Sequence, residues 1–247
     1  MDNTVEEKLP FTSHLEELRK RLIYSLIAVG VCFLICFVFK EWLFRILAFP
    51  LVAVLPENSS MIFTSLPEAF FTYLKISFFG SLFLSSPIVL YQIWRFISPG
   101  LYSSEKKYAF PFVFFSTIFF VGGSLFAYFV VFPFGFKFFV SFATESIKPM
   151  FTLREFLSFS CKLLLAFGVI FELPIFMFFL ARIGLVNSSI LAAKRKYAIL
   201  ITFVVAALFT PPDIVTQVLM AIPIMLLYEI SIWVAKLGEK KENKDTT

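Results

Sequence analysis

Apolar residues fill this chain in about six long blocks, each closed by a short charged or proline-bearing stretch. The blocks are apolar on every side, unlike the one-sided stripe of a soluble amphipathic helix. A bilayer core about 30 Å thick needs about 20 such residues as helix, so each block predicts a membrane span. The expected spans are residues 22–39, 70–90, a stretch within 108–136, 156–181, 197–210 and 214–228. Between the first two, Pro50, Pro56, Asn58, Ser59, Ser60 and Pro67 predict a loop. The fifth block is short: residues 197–210 give about 21 Å of helix at 1.5 Å per residue. The sixth has only residues 214–228 uncharged before Glu229, which is expected to end it. Snorkelling charged ends or a locally thinned bilayer would each accommodate such a hairpin.

Composition agrees with that pattern. Hydrophobic residues make up 59% of 247, 37 of them Phe, and mean hydropathy is +0.87. A soluble domain of this size has no interior for so much apolar surface. The expected class is therefore all-α integral membrane, with six transmembrane helices in one membrane domain over residues 22–235. Residues 1–21 form a cytoplasmic N-terminal segment and 236–247 a charged tail. Residues 1–21 carry both charge signs and lack the pattern of a cleavable signal peptide, so the first span is expected to remain.

Charge sets the orientation. Fifteen Lys and Arg fall before span one, between spans two and three, between spans four and five, and after span six. Five (Lys40, Arg45, Lys137, Lys148, Arg154) fall on the opposite side, and Lys75 and Lys162 lie inside spans. The positive-inside bias predicts both termini in the cytoplasm. The net charge of +5 is spread too thinly among the spans for a nucleic-acid surface. Cys32, Cys36 and Cys161 lie in or beside apolar runs without paired metal spacing, and are read as small apolar residues. A single histidine, His14, argues against a histidine-built metal centre. No metal and no cofactor is expected.

Four polar groups interrupt the pattern. Ser13 and Glu16 have capping-box spacing, and Glu16/Lys20 and Glu17/Arg21 are i,i+4 pairs on the helix leading into span one. The charges serve that helix, or Glu17 accepts a cationic ligand at the membrane surface. Between spans two and three, Phe96-Ile97-Ser98-Pro99-Gly100-Leu101 marks a turn, and Glu105 falls in the first turn of the next helix. Glu17 and Glu105 stand on one face of the membrane, where two carboxylates could hold a pair of guanidinium groups. Glu172 stands inside span four beside Pro174, which should kink the helix. An acid at that depth is costly, so it should face a polar cavity or pair with Lys75 or Lys162. Asp213 can cap span six, with Gln217 one turn later on the same face, and Pro223 should bend that span.

Taken together, His14-Leu15-x-Glu17-Leu18-Arg19-x-Arg21-Leu22, Ser98-Pro99-Gly100-Leu101 with Glu105, Phe171-Glu172-x-Pro174 and Thr210-Pro211-Pro212-Asp213 with Gln217 resemble the TatC family. Ala221-Ile222-Pro223 and Leu227-Tyr228-Glu229 extend the resemblance, which covers about residues 11–235. TatC is the polytopic subunit of the twin-arginine protein translocase. The resemblance implies a concave bundle with short fifth and sixth helices in a bacterial or archaeal inner membrane. It implies recognition of twin-Arg signal peptides by Glu17 and Glu105, with Arg19, Phe96, Pro99 and Leu101 as neighbours. Glu172 becomes a buried acid on the concave face, with Asp213 and Gln217 at its outer rim. The implied partners are precursor signal peptides, single-span TatA/TatB-type subunits and further copies of the chain. Export would draw on the proton-motive force; the chain has no phosphate-binding loop.

Two other classes compete on the residues alone. A proton- or solute-coupled secondary transporter would also bury one acid, but would usually carry related halves, and none is evident between 22–134 and 156–235. An intramembrane enzyme needs a nucleophile–base pair or metal ligands; the only His lies outside the spans, and a Ser–Lys dyad stays open.

Overall fold

The computed structural model describes residues 11–56, 61–97, 109–144, 149–210 and 213–239. The order is α1 (Phe11–Val38), α2 (Lys40–Val52), α3 (Glu68–Ile97), α4 (Ala109–Phe126), a π-helical turn (Ala127–Val131), α5 (Phe132–Val140), α6 (Leu153–Phe171), α7 (Leu173–Arg182), α8 (Ser188–Ala193), α9 (Arg195–Phe209) and α10 (Ile214–Gly238). Among the described residues, five stretches are long and apolar enough to cross a membrane: His14–Val38, Glu68–Ile97, Pro111–Val140, Leu153–Arg182 and Ile214–Gly238. The fifth expected span is α9, whose 15 residues give about 22 Å of helix.

Small residues decide how the helices meet. Between membrane helices no hydrophobic force distinguishes lipid from protein, so close backbone approach and van der Waals contact carry association. On α3, Ser77, Ser81 and Ser85 recur every four residues on one buried face. Their hydroxyls donate to carbonyls of their own helix, to Tyr73 O at 2.7 Å, Phe78 O at 2.6 Å and Leu82 O at 3.5 Å. That satisfies each hydroxyl and leaves a flat surface. At the α4–α6 crossing, a Cβ on Gly123 would lie 2.5 Å from the Phe167 carbonyl oxygen, and one on Gly168 would lie 2.9 Å from the Phe120 ring. Ser124 Oγ donates across the same crossing to Leu164 O at 3.1 Å. Phe126, Phe132, Phe136, Phe156, Phe159, Phe167 and Phe171 fill the space around it ring against ring.

Antiparallel neighbours define two ends. Arg21 meets Gln92, and Trp94 meets Phe112, so α1 starts where α3 ends and α4 starts. Gly238 lies against Phe178, so α7 and α10 both finish at that end. At the other end, Ile62 pairs with the start of α6: Ile62 N–H donates to Phe151 O at 3.0 Å, and Leu153 N–H to Ile62 O at 2.9 Å.

Four expectations are corrected. Residues 40–52 form α2 instead of a loop, with Pro50 inside it. The Ile46 carbonyl, left without its helical donor by Pro50, accepts from the Tyr128 hydroxyl at 2.6 Å. Ser13 is not a cap, because α1 is already helical from Phe11. Span six does not end at Glu229. Its helix runs 25 residues from Ile214 through Pro223 to Gly238, because Ile232 and Ala235 pack with Ala181 and Leu191. The sixth helix is therefore not short, whereas α9 has only 15 residues. Lastly, α8 precedes α9 unforeseen, its first turn capped by Asn187 Oδ1, which accepts from Ile190 N–H at 2.7 Å.

Candidate functional site

The expected polar residues fall in three places along the bundle rather than in one pocket. At the end where α1 starts, Glu17 and Arg21 lie one turn apart on the face of α1 toward α3. Glu17 Oε1 accepts from Arg21 Nη2 at 3.0 Å, and Arg21 Nη1 reaches Gln92 Oε1 of α3 at 3.5 Å. Both side chains are largely covered, 25% and 13% exposed. The Arg21 Nε is buried without an acceptor among the described residues. His14, one turn before Glu17, stacks on Phe96 with ring centroids 4.4 Å apart. Arg19 is exposed on the same helix. The structure thus brings Glu17 and Phe96 to one end, while Pro99, Leu101 and Glu105 lie outside the described residues.

Glu172 stands midway. The helix breaks there: α6 ends at Phe171, and α7 restarts with Pro174 in its first turn, where a missing N–H costs nothing. The Glu172 carboxyl lies near enough to the Ser116 hydroxyl of α4 to interact. Yet Glu172 Oε1 and Ser116 Oγ are both buried without a completed hydrogen bond among the described residues. Pairing with Lys75 or Lys162, one of the two expected roles, is not seen; both lysines are exposed. Ser116 belongs to the third expected span. The break itself was legible from Glu172-Leu173-Pro174.

Asp213 and Gln217 lie at the opposite end. Asp213 caps α10, its Oδ1 accepting from Thr216 N–H at 2.7 Å and its other oxygen from the Thr216 hydroxyl. Gln217 Nε2 donates to the Phe203 carbonyl of α9 at 3.1 Å, tying the α9–α10 hairpin together. Both have a structural task in the isolated chain.

Three polar features were not anticipated. Glu68 is buried at the start of α3; its Oε2 accepts from Thr64 N–H at 2.7 Å, Thr64 Oγ1 at 3.1 Å and Ser65 N–H at 3.3 Å. Its Oε1 accepts from Arg154 N–H at 2.9 Å, joining the starts of α3 and α6. Ser65 with Glu68 has the capping-box spacing that would have flagged it. Arg195 of α9 pairs bidentately with Glu229 of α10, at 2.6 and 2.9 Å, on a half-exposed surface where such a pair adds little stability. Glu239 Oε1 accepts from Ser188 N–H at 2.5 Å, closing α8 against the end of α10. That bond holds the Glu239 carboxyl below the usual carboxylate range. Among the described residues, no cluster of His, Cys, Asp and Glu could hold a metal ion.

Comparison with known proteins bears directly on these places. The family model "Sec-independent protein translocase protein (TatC)" matches residues 13–223. The chain is similar to the Sec-independent protein translocase protein TatC of Desulforapulum autotrophicum, 55% identical over 240 residues, 97% of this chain and 89% of that protein. It is 41% identical to the Escherichia coli protein of the same name, over 94% of this chain and 90% of that one. A crystal structure of the twin-arginine translocase receptor TatC superposes with a TM-score of 0.83 at 44% identity, covering 91% of this chain and 99% of that one. With the family model spanning Glu17, Phe96, Glu172 and Gln217 alike, this chain belongs to the TatC family, which are translocase components and not enzymes.

Proposed function

We propose that this chain is the core subunit of a twin-arginine translocation system, binding twin-Arg signal peptides at the end where α1 starts and α3 finishes. Glu17 carries the proposal. Its carboxylate already holds a guanidinium, that of Arg21, at 3.0 Å and largely shielded from water. A site that seats one guanidinium has the geometry to seat a signal peptide's arginine in exchange. Phe96 and His14 supply an aromatic surface beside it, with Arg19, Pro99, Leu101 and Glu105 completing the proposed site.

Glu172 then meets a polar group of a single-span TatA/TatB-type subunit within the membrane, and Asp213 and Gln217 border that contact from the far end. The wider assembly contains further copies of this chain, sits in the bacterial inner membrane and draws on the proton-motive force. The chain crosses six times, α9 being the short fifth span, with both termini in the cytoplasm as the basic-residue bias requires. Labelling of a cysteine at position 58 but not at 244 in intact cells supports that orientation; the reverse pattern rejects it.

The decisive experiment is crosslinking and binding of a twin-Arg signal peptide to the purified protein, with a twin-Lys peptide as control. Glu17→Gln keeps shape and loses charge. It should weaken twin-Arg binding by about 1.5–3 kcal/mol, the worth of a hydrogen bond to a charged group. Equal affinity of wild type and Glu17→Gln, or equal capture of both peptides, would reject the assignment.

A further inference from the structure

Between the starts of α3 and α6, at the end opposite the start of α1, lies a pocket of about 340 Å³. That is the low end for small-molecule sites, about 300–1,000 Å³. Two cations line it, Lys75 of α3 and Arg154 in the first turn of α6. Neither side chain forms an ion pair among the described residues. Lys75 stands seven residues into the span that opens at Glu68, about 10 Å of helix at 1.5 Å per residue. It is exposed there, beside Cys161 of α6. A lysine at that depth is costly unless its amino group meets an anion or reaches the interface. Two buried groups complete the polar lining. Glu68 is 6% exposed, and both its oxygens are taken by donors of Thr64, Ser65 and Arg154. Thr72, one turn further along α3, is 4% exposed. Its hydroxyl forms no hydrogen bond among the described residues and is not sealed off, so it is free to donate into the pocket.

We propose that this pocket binds the phosphodiester of a phospholipid from the leaflet at this end. Charge selects the ligand. Lys75 and Arg154 bring two positive charges and Glu68 one negative, so one unit is left over, and a phosphodiester carries one negative charge. The donors suit its oxygens: the Arg154 guanidinium as a fork, the Lys75 ammonium as a point charge and the Thr72 hydroxyl as a third contact. The glycerol and the first methylenes of the lipid then cover Phe71, which lines the pocket and is 53% exposed. Inorganic phosphate would leave that ring bare. A partner's acidic side chain would match the charge, but its helix, about 10 Å across, cannot follow it into a pocket of this size. The site is separate from Glu17 and from Glu172, and it gives Lys75 an anion that Glu172 does not supply.

Photocrosslinking locates the lipid. The full chain, freed of lipid in a non-ionic detergent, is irradiated with phosphatidylglycerol or diacylglycerol carrying the same diazirine-bearing chain, and the labelled peptides are mapped by mass spectrometry. Residues 65–75 and 154–157 should be labelled at a phosphatidylglycerol concentration roughly tenfold lower than that of diacylglycerol, the effect of one hydrogen bond to a charged group. Lys75→Gln and Arg154→Gln should each remove most of that preference, and Lys75→Arg should keep it. Thr72→Val, which keeps shape and loses the hydroxyl, should weaken it a few-fold. Because Lys75 and Arg154 are exposed and form no ion pair, their Gln variants should melt with the wild type, which separates lost binding from lost folding. Equal labelling by the two lipids would overturn the proposal, as would full preference in the double Gln variant. Displacement of phosphatidylglycerol by inorganic phosphate at equal concentration would assign the pocket to a free anion and reject the lipid. Absence of label at these residues with either lipid would reject it too and hand the two cations to a partner's acid.

Discussion

The Tyr128 hydroxyl donates to the carbonyl oxygen of Ile46 at 2.6 Å, across 82 positions of sequence. Ile46 is the residue four before Pro50, so its carbonyl is the acceptor that Pro50 cannot serve within α2. Tyr128 sits in the π-helical turn between α4 and α5, where the widened backbone shifts the register of the side chains that follow. One irregularity thus completes another, and α2 is held against α5.

Tyr128→Phe should therefore destabilise the protein by about 1 kcal/mol, the net worth of one hydrogen bond. The informative comparison is Pro50→Ala, which restores an N–H for Ile46. In that background the cost of Tyr128→Phe should fall, giving a coupling energy of the kind a double-mutant cycle isolates. Additive losses in thermal melts of the four proteins would contradict the proposed link.

The α4–α6 crossing makes a sharper steric prediction. Gly123→Ala places a Cβ 2.5 Å from the Phe167 carbonyl oxygen and 2.6 Å from Phe171 Cγ. The first of these is backbone and cannot swing aside, so the helices must separate, at a cost of about 1–3 kcal/mol. Gly122→Ala, whose Cβ would meet nothing within 4 Å, should be neutral or slightly stabilising through helix propensity. Equal melting of the two variants would mean that the crossing is looser than these distances imply.

These examples also mark what could be foreseen. Long spans were legible because charged stretches bound uniform apolar runs, and the break at Glu172 because a proline two residues on forbids a continuous ladder. The residue α2 turned on, Pro50, reads as a breaker in isolation, and its remedy lies on Tyr128, too distant for any local pattern. A charge such as Glu229 reads as a helix boundary, whereas Arg195 across the hairpin shares that charge and Ala235 of α10 packs beyond it. Glu17 and Phe96 were expected at one end and lie there. The separation of Glu17, Glu172 and Asp213 into three levels is a consequence of helix direction alone.

Glu239 predicts a dependence on pH. Its carboxyl is held below the usual range by the Ser188 backbone N–H. A group with a lowered folded pKa stabilises fully above its unfolded value, about 4.3 for Glu. That contribution is lost as pH falls from there through the folded value. Protection of the amides in Ser188–Ala193, taken relative to their intrinsic exchange rates, should accordingly fall below about pH 4.3 in the wild type. In Glu239→Gln that protection should be lower at neutral pH and nearly flat over the same interval. A wild-type profile flat to pH 3 would remove the carboxylate from this contact.

Glu172 separates folding from function most cleanly. Its Oε1 is buried without a hydrogen-bond partner among the described residues, so the carboxyl costs the isolated chain free energy instead of contributing it. Glu172→Ala should then melt at the wild-type temperature or above it. If the carboxyl is kept because a partner subunit supplies the missing donor, the same variant should assemble less of the single-span subunit and transport less precursor in the same membranes. Glu172→Gln, which offers an acceptor without a titrating proton, distinguishes two ways of failing. Recovery of assembly and transport by Gln would assign the residue to partner contact, whereas recovery of assembly alone would mean that the carboxyl's proton takes part in transport. A stabilised Glu172→Ala variant with full assembly and full transport would leave the buried acid with no task, and the cavity reading of this break in α6–α7 would fall with it.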